Sequence, residues 1–399
     1  MNAAGWPFAA VFAPLEAALG AVAGWNVFVL LSYVGAGGFA ALWLRALGLP
    51  LGAALAGGLA FALAPYRVAQ STGHLLGPIS MLLPLALYGV ERRRAWLAVA
   101  ALASIPLSGQ VHLALGAIPF VAAYAWARGR WRLGLGAAGA SVAAGVAVWA
   151  LTLDDAVERP FSDVERYSAS VGDFVSRDPG EFERFVYLGW LTPLAAVVGF
   201  VVLRGRRGLA AVLGLGALVP CLLALGANLP GYRTLWEHSP LHSTRVPERL
   251  LPIACLCLAA LLAFALDRLS VDATQARLRA LTAAALVVIA ADLWVPLYDP
   301  LVADEGNGVY AEIADGPPGR LLELPPLLPD AYAGSVYLYY SMQAPRERPL
   351  GYSTAAPPEA FATARALARD PDDRALLRRL GVRYVVDHRN GAPTTYVKP

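Results

Sequence analysis

Three stretches of this chain combine residue types that could do chemistry on a phosphate. Between residues 153 and 185 stand Asp154, Asp155, Glu158, Arg159, Asp163, Glu165, Arg166, Tyr167, Asp173, Arg177 and Asp178. Carboxylates mixed with arginines can supply a general base beside a phosphate clamp; the same mixture also suits a solvated loop. A second stretch reads His242-Ser-Thr-Arg245-Val-Pro-Glu248-Arg249 just ahead of an apolar segment. Arg245 and Arg249, four apart, could project to one face and read a diphosphate, or simply flank a helix. In the third, Pro65-Tyr66-Arg67 is followed by His74 at the end of an apolar run. Tyr66, Arg67 and His74 could grip a phosphate or anchor an interface. Glu16, in the middle of an apolar segment, is either functional or part of an interfacial helix. His238 and His242 have the spacing of a helical metal pair, but Pro240 stands between them. No residue set has zinc-like spacing, and carboxylates remain able to hold Mg2+ or Mn2+. Cys221, Cys255 and Cys257 lie inside apolar runs and behave as small hydrophobes.

The elements that must position these residues are membrane helices. The chain has 399 residues, 57% hydrophobic and 15% charged, against about 25% charged in soluble chains. It lacks the polar side chains to cover a water-exposed surface of its size, and its aromatic content and long apolar runs exclude disorder. Its arginines fall in short clusters between apolar segments, not on an aromatic-studded basic face, which argues against a nucleic-acid partner. A bilayer core takes roughly 20 apolar residues per helix. Candidates lie near 8–23, 27–44, 51–64, 77–90, 96–108, 112–127, 134–152, 186–203, 209–226, 250–266 and 280–297, with 96–127 either one kinked span or two. Residues 1–298 thus form a multi-pass domain of about 10–11 transmembrane helices. No secretory signal peptide is visible before Ala23.

Charge orients these segments. Alternate loops carrying Arg45, Arg92–Arg94, Arg128–Arg132, Arg204–Arg207 and Arg268–Arg279 hold 13 arginines against three acids; the others, near 65–76, 107–111, 153–185 and 227–249, hold eight against eleven. Arginine-rich short loops stay cytoplasmic, so the 153–185 and 227–249 loops are expected outside. Asp292, near an outer helix end, is expected to snorkel to water, and Trp25, Trp43, Trp96, Trp131, Trp190 and Trp294 to form an interfacial belt. From 299 to 399 the texture becomes that of a small extracytoplasmic α/β domain. Strands are expected at Arg320–Leu324 and Val382–His388, with a helix over Pro358–Leu380 that breaks at Pro371.

The stretch NVFVLLSYVGAGGFAALWLRALGLP…AGGLAFALAPYRVAQSTGHLLGPISMLLPLALYGVERRR resembles the early helices of bacterial GT-C-type membrane glycosyltransferases and their YfhO-like relatives. The resemblance continues in ERYSASVGDFV, STRVPERLLPIACLCLAALLAFALDRL, GRLLELP and LRRLGVRYVVDH, and so covers most of the chain. It implies a GT-C-like polytopic protein of the bacterial cytoplasmic membrane. It also implies transfer of a sugar from a polyprenyl-phosphate carrier to an extracytoplasmic glycan, lipid or protein acceptor. A carboxylate of the first outer loop would act as base and basic groups would hold the lipid phosphate. In that pattern a helix and an acidic loop precede the region matched by Trp6–Ala23, and Met1 stands after both. The carboxylates left for the base are Asp154, Asp155, Glu158 and Glu16; the groups left for the phosphate are Tyr66, Arg67, His74, Arg159, Arg166, Arg245 and Arg249. A non-catalytic scaffold or partner subunit in envelope assembly is the alternative. A transporter ranks below both, because the spans hold few polar residues and no inverted repeat.

Overall fold

The computed structural model describes residues 6–72, 74–151, 160–179, 184–269, 274–297, 306–353, 356–388 and 395–397. The chain divides into two compact units, one built mainly from the residues up to 298 and one from 299 onward.

The first unit is helical: α1 (Ala9–Leu19), α2 (Ala21–Ala46), α3 (Leu51–Ala62), the short α4 (Pro65–Ala69) and α5 (Leu76–Ile79), α6 (Leu82–Glu91), α7 (Ala95–Leu107), α8 (Val111–Ala127), α9 (Trp131–Leu151), α10 (Phe161–Tyr167), α11 (Leu191–Val202), α12 (Arg207–Ala224), α13 (Tyr232–Glu237), α14 (Leu251–Leu269) and α15 (Gln275–Asp292). Every expected apolar segment contains a helix, but 8–23 breaks at Gly20 and its end runs on into α2, 77–90 is divided between α5 and α6, 186–203 becomes helical only at Leu191, and 96–127 is two helices parted at Ser108–Gln110. Ala21–Ala46, Trp131–Leu151, Arg207–Ala224 and Pro247–Leu269 are long and apolar enough to cross a membrane; α1, α3, α7, α8 and the Leu76–Glu91 and Leu191–Gly205 stretches are shorter apolar helices. Val34, Leu151, Leu194 and Val287 are exposed. Such residues on the outside of a helical bundle are what lipid, not water, accepts.

One helix lies at the centre. The apolar window of Pro247–Leu269 is 83% buried, against 22% for that of α9. Close approach is bought with small residues: a side chain at Gly199 of α11 would run into the Leu261 carbonyl of α14, and one at Gly58 of α3 would come within 2.5 Å of the Gly37 carbonyl of α2.

The two ends of this bundle differ. At one, Glu91 closes α6 and accepts from Tyr124 Oη (2.7 Å), Arg128 Nε (2.7 Å) and Arg130 Nη1 (2.6 Å). Tyr124 in turn accepts from Trp43 Nε1 at 2.8 Å. Trp43 is completely buried, so it is a link in this network and not part of an interfacial belt, whereas Trp96, Trp126, Trp190 and Trp294 are exposed. At the other end the long loops gather.

The second unit contains α16 (Gly308–Asp315), β1 (Arg320–Leu324), α17 (Ser335–Gln343), α18 (Pro358–Arg369), α19 (Arg374–Arg379), β2 (Val382–Asp387) and β3 (Thr395–Val397). β1 pairs parallel with β2, and β2 antiparallel with β3. The expected helix break falls at 370–373, where Asp373 caps α19 by accepting from Ala375 and Leu376 N–H. The period-2 alternation of β1 puts Leu321 against Tyr310, Tyr340 and Tyr384, and Leu322 and Leu324 against Leu367, Leu376 and Leu377.

Candidate functional site: an aromatic and arginine cluster in the long loops

The loops are tied by backbone groups first. Ala169 N donates to the Ala224 carbonyl at 3.1 Å. Ser168 Oγ donates to the Val164 carbonyl and accepts from Ala227 N, and Asn228 Nδ2 donates to the Ala169 carbonyl. The C-terminus of α10 is thereby clamped on the turn after α12. Val164, Tyr232 and Trp236 form a buried cluster with Phe161, Leu229 and Leu241 around it, and Trp236 Nε1 donates to the Thr244 carbonyl at 2.9 Å. Burial pushes the Tyr232 phenol up to about 12 despite its bond with Thr244, the Glu248 charge adding to the rise. Tyr232 is therefore a neutral structural group at any working pH.

On this frame two of the sequence-predicted arginines converge. The guanidiniums of Arg166 and Arg245 each lie 5.2 Å from the centroid of the Tyr167 ring. They come from segments almost eighty residues apart, and one buried tyrosine holds both. A cation over a ring face is attracted by its quadrupole, and a stacked guanidinium keeps its N–H donors at the edge of its plane, the geometry that meets phosphate oxygens. Arg166 is exposed and Arg245 half-buried. Arg233 repeats the motif nearby: it lies over Phe161 at 5.2 Å and pairs with Glu237 at 2.9 Å.

The other candidates are placed differently. Arg67 is completely buried, with Nε on Ser80 Oγ (3.0 Å), Nη1 on the Ala62 carbonyl (3.0 Å) and Nη2 on the Ser32 carbonyl (2.9 Å). It ties α2, α3, α4 and the turn before α6 together from inside. Tyr66, beside it in α4, is equally buried, and His74 is half-buried. Arg249 is buried in the turn that leads into α14. Glu16 is exposed on α1. Asp154, Asp155, Glu158 and Arg159 lie outside the described residues, directly ahead of Pro160 and α10. Among the described residues no three His, Cys, Asp or Glu side chains converge as a metal site.

Asp292 corrects its expectation. It is buried, and instead of snorkelling it caps a helix from a hundred residues away. Oδ1 accepts from Trp190 N (2.9 Å); Oδ2 accepts from the N–H groups of Leu191 (3.1 Å) and Thr192 (3.2 Å) and from Thr192 Oγ1 (3.3 Å). The first N–H groups of α11 need an acceptor, and its own N-cap, Trp190, has none. A carboxylate there is favoured by the helix dipole as well. Arg177 closes the other half: Nε donates to Tyr187 Oη (3.0 Å), Nη2 to the Asp292 carbonyl (3.0 Å), and the cation lies 4.2 Å from the Trp190 ring centroid. The sequence signal was an acid closing one apolar helix and an uncapped start to another; only the fold pairs them.

No protein-family model matches this sequence, and no curated protein does. The structure is similar to the cryo-EM structure of arabinofuranosyltransferase AftD from Mycobacteria, with a TM-score of 0.60 and 20% sequence identity over 94% of this chain. This chain spans 30% of that one's length. The likeness carries the fold, that of a GT-C-like, α-helical multi-pass membrane protein with a small α/β unit.

Proposed function

We propose that this chain belongs to a membrane glycosyltransferase that moves a sugar from a polyprenyl-phosphate carrier to a cell-envelope acceptor on the extracytoplasmic side. The observation that carries the reading is the convergence of Arg166 and Arg245 on Tyr167, in loops that the arginine asymmetry predicts to lie outside. The fold shared with an arabinofuranosyltransferase supports it.

In this reading the bond between the anomeric carbon and the carrier phosphate oxygen breaks, and the electron pair stays on the phosphate. The acceptor hydroxyl oxygen bonds to the anomeric carbon and its proton passes to a carboxylate. Arg166 and Arg245 stabilise the charge that grows on the leaving phosphate. Asp154, Asp155 and Glu158, a few residues before α10, are the carboxylates to test as base. The same acids would supply the oxygen ligands for a divalent cation such as Mg2+ or Mn2+.

The test is transfer of radiolabelled sugar from a synthetic polyprenyl phosphate by the purified protein in lipid nanodiscs. Arg166→Ala and Arg245→Ala are each expected to slow transfer about tenfold to a hundredfold, with unchanged thermal melting. Turnover by the parent that both variants retain in full overturns the phosphate assignment. No turnover alone, with turnover restored by a co-purifying protein, makes the chain a partner subunit instead.

A further inference from the structure

The end of the helical unit that closes α6 carries more positive charge than the Glu91 network takes up. Three turns meet there. Arg92, Arg93 and Arg94 stand between α6 and α7; Arg128, Arg130 and Arg132 at the turn from α8 to α9; Arg204, Arg206 and Arg207 at the turn from α11 to α12. Glu91 staples the first two turns together by accepting from Arg128 and Arg130. Glycines let each helix pair close up. A side chain at Gly89 of α6 would come within 2.6 Å of Ala98 N of α7, and one at Gly134 of α9 within 2.5 Å of the Ala125 side chain of α8. The third turn lies against the second, since a side chain at Gly208 of α12 would touch the Ala127 carbonyl of α8 at 3.4 Å.

Two carboxylates serve these arginines among the described residues. Glu91 is taken up by Arg128 and Arg130, and Asp267, half-buried near the end of α14, interacts with Arg206. Among the described residues no carboxylate pairs with Arg92, Arg93, Arg94, Arg132, Arg204 or Arg207, and all six are exposed.

The backbone holds these charges in place. The first two turns end their helices with the same pair of bonds: Arg94 N donates to the Gly89 carbonyl and Arg93 N to that of Val90, as Arg130 N does to Ala125 and Gly129 N to Trp126. This closure puts one residue in the left-handed region. In the second turn that residue is Gly129, at φ 66°; in the first it is Arg93, at φ 54°. Only glycine is free of steric penalty there, so the first turn keeps a guanidinium where its twin has none. α7 starts from Arg94 and α12 from Arg206, and neither N-cap makes a side-chain hydrogen bond. Their open N–H groups and helix dipoles add to the positive field.

Aromatic rings set the depth of this charge. Trp96, Trp126 and Trp131 are exposed beside the first two turns, with 6.5 Å between the centroids of Trp126 and Trp131. Arg132 lies over Trp131 at 5.2 Å and Arg92 over Tyr88 at 5.8 Å. Exposed tryptophans at the ends of apolar helices sit at the level of the lipid headgroups. A guanidinium held against such a ring reaches the phosphate layer and meets its oxygens two at a time. An anion free in solution needs no such depth; a lipid headgroup does. We propose that this face binds the headgroups of anionic phospholipids, with the six unpaired arginines on their phosphates and the three tryptophans in the interface beside them.

The experiment is native mass spectrometry of the full chain in detergent, titrated with phosphatidylglycerol and, separately, with phosphatidylcholine. The parent is expected to bind phosphatidylglycerol about tenfold more tightly. Arg93→Gly removes one charge and gives the left-handed position its preferred residue. It should weaken phosphatidylglycerol about threefold, with melting equal to the parent's or higher. Arg92→Ser, Arg93→Gly and Arg94→Ser combined should abolish the preference. Arg378→Ser with Arg379→Ser takes two exposed charges from α19 instead and should leave it unchanged. Equal binding of the two lipids by the parent overturns the proposal, as does a preference that the triple variant keeps or that the α19 variant also loses. Full competition by millimolar inorganic phosphate overturns it too and makes the face a site for soluble phosphate. The measurement needs no turnover, so its failure leaves the proposed transfer standing, and the failure of transfer leaves the lipid assignment standing.

Discussion

The two ends of the helical unit differ in whether their arginines meet a buried carboxylate. At the end that closes α6, one buried carboxylate collects two of them: Glu91 takes Arg128, Arg130 and the Tyr124 hydroxyl together, and Trp43 backs the tyrosine, while Arg92 and Arg132 lie over the Tyr88 and Trp131 rings. At the loop end, Arg166, Arg177, Arg233 and Arg245 all lie over aromatic faces. A carboxylate neutralises the cation and fixes helix to helix; an aromatic face orients it and leaves its charge in place. The first arrangement belongs to assembly. The second suits a surface that must meet a phosphate, and within it the arginines divide again: Arg177 is bound to carbonyls and Arg233 to Glu237, while Arg166 and Arg245 share Tyr167.

The largest effect is expected where the network is buried. Glu91→Ala leaves the Tyr124 hydroxyl without its acceptor and Arg128 and Arg130 without their counter-charge, at a cost of about 2–4 kcal/mol. The melting temperature of the purified protein should fall, while transfer per folded molecule stays at the parental value. A loss of transfer with normal melting would erase the contrast between the ends. Arg245→Lys sharpens it from the other side. Lysine keeps the charge but not the planar cation that stacks on Tyr167, so transfer should fall several-fold with melting unmoved. Full activity would mean that charge alone, and not the stacked geometry, matters there.

How much of this was legible in the sequence depends on how local each feature is. The helices were, because a lipid core demands long apolar runs, and so was the break in the tail helix at Pro371. The convergence of Arg166 and Arg245 was half legible: both stood out as arginines in loops, but Tyr167 joining them depends on α10 docking after α12. Arg67 looked the same in sequence as Arg166. Its acceptors are the Ser32 and Ala62 carbonyls and Ser80, and no local pattern predicts a guanidinium buried among groups from three segments. Trp43 and Asp292 misled for the same reason. Position near a helix end suggests solvent or interface, while the partners that draw them inward lie 81 and about 100 residues away.

Asp292 makes a smaller test of the loop end. Asp292→Ala removes four hydrogen bonds from the start of α11, and the loss of a cap costs about 1–2 kcal/mol. Asp292→Asn keeps an acceptor and loses only the charge, so it should cost a few tenths of that through the helix dipole. The expected order in thermal melting is parent, then Asn, then Ala. Equal melting of all three would show that the contacts at Trp190 and Thr192 do not hold the helix end.

The smallest effect concerns Tyr232, which anchors the frame under the two arginines. Its folded pKa is raised to about 12 from an unfolded value near 10. For a raised pKa, the stabilisation is fully present below the unfolded value and is lost as pH climbs through the folded one. Between about pH 10 and 12 the folded protein therefore keeps this proton while the unfolded chain releases it, and the window above 10 costs stability progressively. Tyrosinate absorbance followed to pH 11 in the parent and in Tyr232→Phe should be the same, because the group that the variant lacks has not yet titrated. A difference that develops near pH 10 would mean that Tyr232 is open to water, and that the aromatic cluster beneath Arg166 and Arg245 is not the rigid seat their convergence requires.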